Sequence, residues 1–179
     1  YQVVTILVFT GFSALMLING WWSVIRSEVL VNRTDNPRRT ISEYYVMRGK
    51  ILDRNSELLA VSNGQSGSYA RVVTYPALGS TIGYDSATYG QSGLEASLDP
   101  YLRGLRGNPT SPILTDHLLY GTPPPGLDIR LSIDLTLQRA ADDQLRGHRG
   151  AIVVMNASNG ELLTMASHPY FDPNVIDSN

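Results

Sequence analysis

Few side chains in this sequence are suited to covalent or metal chemistry. The 179 residues contain no cysteine, a single lysine, Lys50, and three histidines, His117, His148 and His168. The absence of cysteine excludes disulfides, thiolate nucleophiles and thiolate metal sites. The histidines lack the close spacing of metal ligands, so we predict that they are solvated or hydrogen-bonded surface residues. We therefore expect neither a metal nor a cofactor.

Charge and glycine patterning exclude two further classes of function. The formal net charge is -2 at pH 7, so nothing indicates nucleic acid as a partner. No glycine lies in a Gly-x-x-x-x-Gly-Lys pattern, which excludes a phosphate-binding loop of that type. Asp142 and Asp143 are predicted to lie on the exposed face of a helix.

Asp53 and Arg54 lie in a polar turn between two apolar runs, residues 51–52 and 58–61. Asp, Asn and Ser side chains bond their own backbone in turns, so we predict two short strands joined here. Taken alone, both charged residues are expected to be solvated. Residues 44–47 form another strand-like run.

Glu95 lies near a predicted helix start. Ser92 can cap the helix, and Glu95 follows three residues later, as a capping box requires. Leu94 and residues 98, 101 and 102 then share one helical face. The Asp99-Pro100 pair is expected to kink the helix or begin a second turn.

The last third predicts a strand, a helix and a hairpin. Residues 128–133 alternate polar and apolar side chains, and Asp134 can cap the helix that follows. We expect Leu137, Ala141 and Leu145 to form its buried face and Gly147 to end it. The apolar run 151–155 is typical of a strand covered on both faces, and residues 161–167 supply the returning strand. The Pro- and Gly-rich residues 106–126 form a linker and a domain boundary.

An uncharged apolar stretch covers residues 2–25. A helix of twenty such residues is about 30 Å long, the thickness of a membrane's hydrocarbon core, and Trp21 and Trp22 suit its interface. A signal peptide and a buried soluble helix are less favoured alternatives. Thr10, Ala14 and Asn19 offer small or polar surface, which is either a docking face for a polytopic partner or tolerated facing lipid.

In their order along the chain, several segments resemble the membrane-proximal half of a class B penicillin-binding protein. The family's Arg-Gly-x-Ile-x-Asp-Arg-Asn-Gly-x-x-Leu-Ala segment is matched at residues 48–60, except that Ser56 replaces glycine, for which we expect a different turn conformation. A Gly-Leu-Glu element follows. The remaining matches are Ser132-Ile133-Asp134 and the stretch from Gly150 to Asn174.

The resemblance implies an α+β chain with three parts. Residues 1–25 are the single transmembrane helix, 26–126 a small mixed α/β pedestal domain, and 127–179 the opening strand-helix-hairpin of a transpeptidase domain. In the pedestal, a structural or partner-contacting role falls on seven residues: Arg48, Gly49, Asp53, Arg54, Gly93, Leu94 and Glu95.

The catalytic elements of that family are absent from these residues. Acyl-serine transpeptidases need Ser-x-x-Lys, Ser-x-Asn and Lys-Thr-Gly. Lys50 has Met47 three residues before it and Ile51 directly after it, and no serine lies two residues before an asparagine. The resemblance places the nucleophilic serine beyond Asn179.

The implied function is peptidoglycan cross-linking at the bacterial plasma membrane. The family's parent enzyme is a single-pass D,D-transpeptidase, mostly extracytoplasmic, that acts on peptidoglycan stem peptides and is acylated by β-lactams. Its usual partner is a SEDS glycosyltransferase of the RodA/FtsW type, and the compact pedestal slightly favours an elongation-type member. The alternatives are a non-catalytic membrane scaffold that regulates the glycosyltransferase and, much less favoured because of the pedestal segment, a β-lactam-sensing receptor.

Overall fold

The computed structural model describes residues 2–24, 45–86, 88–108 and 124–178. The chain divides into two compact units, Tyr1–Ile41 and Ser42–Asn179, which are described separately. The predictions for Tyr44, for most of the 106–126 linker and for His117 lie outside the described residues.

The first unit contains one long helix, α1, Gln2–Val24. Its segment Gln2–Trp21 is long and apolar enough to cross a membrane. Two polar side chains form hydrogen bonds to the backbone of the same helix. The Thr10 hydroxyl donates to the Ile6 carbonyl at 2.8 Å, and the Asn19 amide donates to the Leu15 carbonyl at 2.9 Å. Both groups can therefore lie in an apolar environment without an external partner.

A four-stranded sheet organises the second unit. Strands β1 (Ile51–Leu52), β2 (Leu58–Asn63), β3 (Ala70–Val73) and β6 (Ile129–Arg130) are arranged in the order β3-β2-β1-β6. The first three pair antiparallel, whereas β6 runs parallel to β1. The predicted strand pair around residues 53–57 is confirmed, and β6 joins it from across the predicted domain boundary.

Short elements follow β3. They are a 3-10 turn at Pro76–Leu78, helix α2 (Gly79–Ile82), the hairpin β4 (Asp85–Ser86) and β5 (Gly90–Gln91), and helices α3 (Gly93–Ser97) and α4 (Asp99–Leu102). Proline fits the first turn of a helix, so Asp99-Pro100 begins a second helix, one of the two predicted outcomes.

The described chain continues after β6 with helix α5 (Leu135–Leu145). A hairpin of β7 (Gly150–Met155) and β8 (Leu162–His168) follows, and then a 3-10 turn at Pro173–Ser178. The Asp134 carboxylate accepts from the backbone N–H groups of Thr136 and Leu137, so the predicted cap is confirmed. Gly147, at φ 82°, lies just past the helix end as predicted.

The core lies between the sheet and these helices. Its buried members include Ile51, Leu59, Leu78, Ile82 and Leu102. Leu135, at the start of α5, packs into the same cluster, so the sheet and α5 share one apolar interior.

Four local predictions that do not involve charged side chains are wrong, and two of them concern the last third. Leu137 is 43% exposed, whereas Gln138 is fully buried. The Gln138 amide satisfies itself by pairing with the N–H and C=O of Met165 on β8. Strand β7 is exposed rather than covered on both faces, because β8 is its only strand partner among the described residues.

The other two errors concern backbone conformation. Residues 45–47 belong to no strand, because the chain here runs past the end of α4, where the Gly49 N–H donates to the Leu102 carbonyl at 2.8 Å. Ser56 has φ 70°, the left-handed conformation that favours glycine. Ser56 therefore adopts a backbone conformation that glycine favours, whereas we predicted a different turn conformation.

Candidate functional site

The predicted pedestal residues Arg48 and Glu95 meet inside the fold. The Arg48 guanidinium lies 2.9 Å from one Glu95 carboxylate oxygen and also donates to the Glu95 backbone carbonyl at 3.1 Å. The other carboxylate oxygen accepts from Nε of Arg71 at 2.7 Å. Arg48 is 4% exposed and Glu95 is fully buried. One carboxylate thus joins two arginines away from solvent.

Two further carboxylates complete what we call the charge cluster, defined as Arg48, Arg71, Asp85, Glu95 and Asp99. Asp85 lies 3.4 Å from Nε of Arg48, and Asp99 accepts a hydrogen bond from its Nη1. The cluster gathers side chains from β3, β4, α3 and α4. It therefore holds together elements that are each too short to be stable alone.

The two arginines respond differently to this environment. Burial alone would lower the pKa of Arg48, but the charges of Asp85, Glu95 and Asp99 raise that pKa above its ordinary value. For Arg71, burial prevails over the attraction of Glu95 and lowers the pKa. Arginine remains protonated in either case. The two guanidinium groups can thus position segments but cannot act as general bases.

The capping box predicted at Ser92 is wrong. The Ser92 side chain makes no capping bond to α3. Its hydroxyl instead accepts from the Tyr84 backbone N–H at 3.3 Å. Glu95 is drawn away from the helix terminus because two buried guanidinium groups compete for its carboxylate, and a charge-assisted bond is the stronger one.

Asp53 is not solvated either. Its carboxylate accepts from the backbone N–H groups of Asn55 at 2.7 Å, Glu57 at 2.8 Å and Leu135 at 3.1 Å. The first two bonds close the β1–β2 turn, and the third reaches the first residue of α5. Asp53 therefore ties the turn to a helix 82 residues further along the chain.

Two glycines permit close backbone contacts. A Cβ on Gly49 would lie 1.9 Å from the Leu127 carbonyl oxygen, and one on Gly93 would lie 2.8 Å from the Thr81 carbonyl oxygen. Gly93 also has φ 58°. Leu94, next to it, is half-buried. These residues shape the pedestal's interior.

Arg54 differs from its neighbours, because its side chain is 40% exposed and its ion pair with Glu161 is long, at 4.0 Å. The structure therefore gathers Arg48, Gly49, Gly93, Leu94 and Glu95 around one buried region. It places Asp53 at the turn and Arg54 at the surface. That these seven pedestal residues contact a partner remains a prediction.

The three residues of the predicted membrane docking face do not share one face. At about 100° per residue, Ala14 lies about 40° from Thr10, whereas Asn19 lies about 180° from it. A single packed helix could touch Thr10 and Ala14 together but not Asn19.

Sequence reasoning overlooked Arg71, Asp85 and Asp99 as members of the cluster, and Asn174 as a tie. The Asn174 amide pairs with both the N–H and the C=O of Val73, at 2.9 and 3.0 Å. A signal existed for Arg71, since a charged residue in an otherwise apolar strand invites a buried partner. None pointed to Asp85.

Within the described ranges, no group of three His, Asp or Glu side chains is placed to hold a metal ion. The charge cluster and the Asp53 hydrogen bonds instead connect distant segments of the second unit to one another.

Comparison with known proteins finds one matching family and several related proteins. Residues 48–129 match the family described as the penicillin-binding protein A dimerisation domain. The peptidoglycan D,D-transpeptidase PbpA of Mycolicibacterium smegmatis is 31% identical over 149 residues, which are 79% of this chain and 30% of that protein. The peptidoglycan D,D-transpeptidase MrdA of Escherichia coli is 32% identical over 127 residues, which are 71% of this chain and 18% of that protein.

A solved structure supports the same relationship. Penicillin-binding protein A from M. tuberculosis, as its imipenem acyl-enzyme complex, superposes with a TM-score of 0.67 at 30% identity, covering 75% of this chain and 32% of that one. The chain thus spans about a third or less of the length of these relatives.

Together these matches define a penicillin-binding protein pedestal followed by the start of a transpeptidase fold, as predicted. The chain belongs to the class B penicillin-binding proteins, among relatives of the PbpA and MrdA types.

Proposed function

We propose that this chain is the membrane-proximal part of a serine-type peptidoglycan D,D-transpeptidase. The observation that carries the proposal is the superposition on an acyl-enzyme of penicillin-binding protein A over 75% of this chain. The relatives PbpA and MrdA, both named peptidoglycan D,D-transpeptidases, support the same activity.

In the proposed reaction, a serine outside these 179 residues attacks the carbonyl carbon of the penultimate D-alanine in a stem peptide. The bond to the terminal D-alanine breaks, and D-alanine leaves as the free amine. The acyl group then passes from the serine to an amine on a neighbouring strand, which restores the serine hydroxyl. A β-lactam would acylate the same serine.

The described residues would contribute position rather than chemistry. Helix α1 would anchor the protein in the bacterial plasma membrane as a single span, with the remainder on the extracytoplasmic side. The charge cluster would stiffen the pedestal between the anchor and the catalytic domain. This stiffness follows from burial, because a buried ion pair that loses one member leaves a costly unpaired charge.

We further propose a SEDS glycosyltransferase of the RodA/FtsW type as the membrane partner. The support is indirect: Thr10 and Ala14 form a small-residue surface, which lets transmembrane helices approach closely. The pedestal would then lie over the partner's outer face and could stimulate glycan polymerisation. The match to MrdA fits a role of the elongation type.

The activity is tested by incubating the protein from its source with a fluorescent penicillin, followed by a denaturing gel and an immunoblot against the pedestal. A labelled band well above 19.6 kDa that disappears after preincubation with unlabelled penicillin is the expected result. An unlabelled immunoreactive band at 19.6 kDa would overturn the proposal in favour of the non-catalytic scaffold.

A further inference from the structure

A cavity of about 440 Å³ lies beside strand β6, outside the charge cluster. We call it the arginine cavity. Its volume falls within the roughly 300–1,000 Å³ of small-ligand sites in proteins. The residues that line it are Arg54, Arg130, Leu131, Ser132 and Glu161.

Sheet register brings the two arginines together. Strands β1 and β6 pair in parallel, with Leu52 opposite Arg130. The pairing continues past the strand ends, because the Arg54 N–H donates to the Ile133 carbonyl at 2.9 Å. Successive side chains alternate between the two faces of a sheet, so Arg130 and Ser132 lie on one face and Arg54 follows next to Ser132.

Neither arginine is needed inside the fold. Among the described residues, the only ion pair of Arg54 is the 4.0 Å contact with Glu161, and both side chains are exposed by 40% or more. Arg130 is exposed and makes no hydrogen bond or ion pair within the described part of the chain. This contrasts with Arg48 and Arg71, whose charges are matched by buried carboxylates.

Backbone groups are also directed outward here. The N–H groups of Ile129 and Leu131 donate inward to Lys50 and Leu52 at 2.8 Å each. Arg130, which lies between them, therefore presents its backbone to the open side of β6, the outermost strand of its sheet among the described residues. The open stretch ends at Ser132, whose hydroxyl donates to the Leu162 carbonyl of β8 at 2.7 Å. An extended peptide can pair with such an edge.

We infer that the arginine cavity binds a short peptide carrying a carboxylate and an ammonium group. The carboxylate lies between Arg54 and Arg130, because guanidinium groups form strong charge-assisted bonds to carboxylates. The ammonium faces Glu161, and an aliphatic portion contacts Leu131. A phosphate dianion fits less well, since the Glu161 carboxylate would repel it. This site is independent of the proposed transpeptidation.

The test uses the full chain in phosphatidylcholine nanodiscs and a fluorescent probe, the blocked tetrapeptide Ala-Glu-Ala-Lys, monitored by anisotropy. Saturable binding is expected, weakened about tenfold or more by Arg54→Gln and by Arg130→Gln, because each removes one charged hydrogen-bond donor. Arg146→Gln, at an exposed position directly after α5, is the matched control and should leave the affinity unchanged. The analogue Ala-Gln-Ala-Lys, which lacks the carboxylate, should bind about tenfold more weakly.

Equal weakening by all three arginine variants would overturn the inference, because it would show a general charge effect. So would absence of saturation, equal affinity for the glutamine analogue, or displacement by inorganic phosphate at the peptide's own concentration. Tight binding to phosphatidylglycerol nanodiscs that depends on Arg54 and Arg130 would assign the site to lipid instead. Far-UV circular dichroism of each variant separates lost binding from lost folding.

Discussion

The Glu95 carboxylate and the Arg48 guanidinium are in contact at 2.9 Å although neither is more than 4% exposed. Arg48 lies where the chain enters β1, and Glu95 lies 47 residues later in the first turn of α3. The pair therefore fixes the start of the main sheet against the helical side of the pedestal.

Replacing Glu95 by glutamine should destabilise the protein by about 3 kcal/mol, because it leaves Arg48 and Arg71 without their shared charge in a buried place. Asp143→Asn is the matched control, since its pair with Arg146 is exposed and is expected to contribute about 0–1 kcal/mol. Thermal unfolding of the full chain in detergent, followed by far-UV circular dichroism, gives both values. Equal losses for the two variants would contradict a special role for the cluster.

Gly49→Ala should be as damaging as a large core change. The new Cβ would lie 1.9 Å from the Leu127 carbonyl oxygen, and because both are fixed to backbone the two chain segments would have to separate. We expect a loss of about 3 kcal/mol. Gly150→Ala is the control, because its Cβ would make only an ordinary 3.7 Å contact with Leu145. Near-identical unfolding temperatures for the two variants would disprove this account.

Ser56→Gly should stabilise the protein. Serine at φ 70° incurs roughly 1–2 kcal/mol of strain in the left-handed region, of which the extra flexibility of an unfolded glycine offsets about 0.5–1 kcal/mol. We expect a net gain of about 0.5–1 kcal/mol in the free energy of unfolding. Ser66→Gly, an exposed turn position without a positive φ, should give no gain. A loss at position 56 would mean that the serine side chain contributes a contact.

The sequence predicts correctly those elements that are determined by neighbouring residues. The Asp134 cap, the turn at Asp53 and the uncharged first helix were each predicted from a few neighbouring residues. The matching segment 48–60 also indicated the family. These features need only capping, turn chemistry or an uninterrupted apolar stretch, all of which can be read from consecutive residues.

Features that depend on distant partners could not be predicted in this way. Glu95 had a local explanation as a capping residue, but two arginines from distant segments, Arg48 before β1 and Arg71 on β3, bind its carboxylate. Leu137 was predicted on the buried face of α5, yet Gln138 is buried in its place because the backbone of Met165 and the Asp142 carboxylate satisfy its amide. In both cases burial with a distant partner overrides the local pattern, and one sequence does not reveal that partner.

Alkaline pH should destabilise the protein partly through Tyr75. Burial, and then the hydrogen bond from its hydroxyl to Asp142 at 2.8 Å, raise the pKa of Tyr75 above its ordinary value of 10.0. The unfolded residue releases its proton near pH 10, whereas the folded residue retains it. Its stabilising contribution is thus fully present below pH 10 and is lost as pH rises through the raised pKa.

The measurement is the unfolding temperature between pH 8 and about pH 11.5, a span that brackets the ordinary tyrosine pKa. Tyr75→Phe should make the decline above pH 10 shallower, while lowering stability at pH 8 by about 1 kcal/mol through the lost hydrogen bond. Tyr89→Phe, at a side chain 56% exposed, should leave the slope as it is. Parallel curves for the Tyr75 variant and the unmodified protein would show that this residue does not titrate as described.

Helix α1 provides the last test, which concerns the proposed membrane partner. Thr10 and Ala14 lie one turn apart on one face, and leucine at both positions would keep a second helix from approaching closely. We expect the amount of SEDS glycosyltransferase that co-purifies with the double variant to fall several-fold. Asn19→Leu lies about 180° around the helix from Thr10 and serves as the control. Because all three changes keep the helix apolar, membrane insertion should be equal, as checked by extraction with detergent but not with alkaline carbonate. If the double variant retains its partner as well as the control does, the Thr10–Ala14 face is not the docking surface and faces lipid instead.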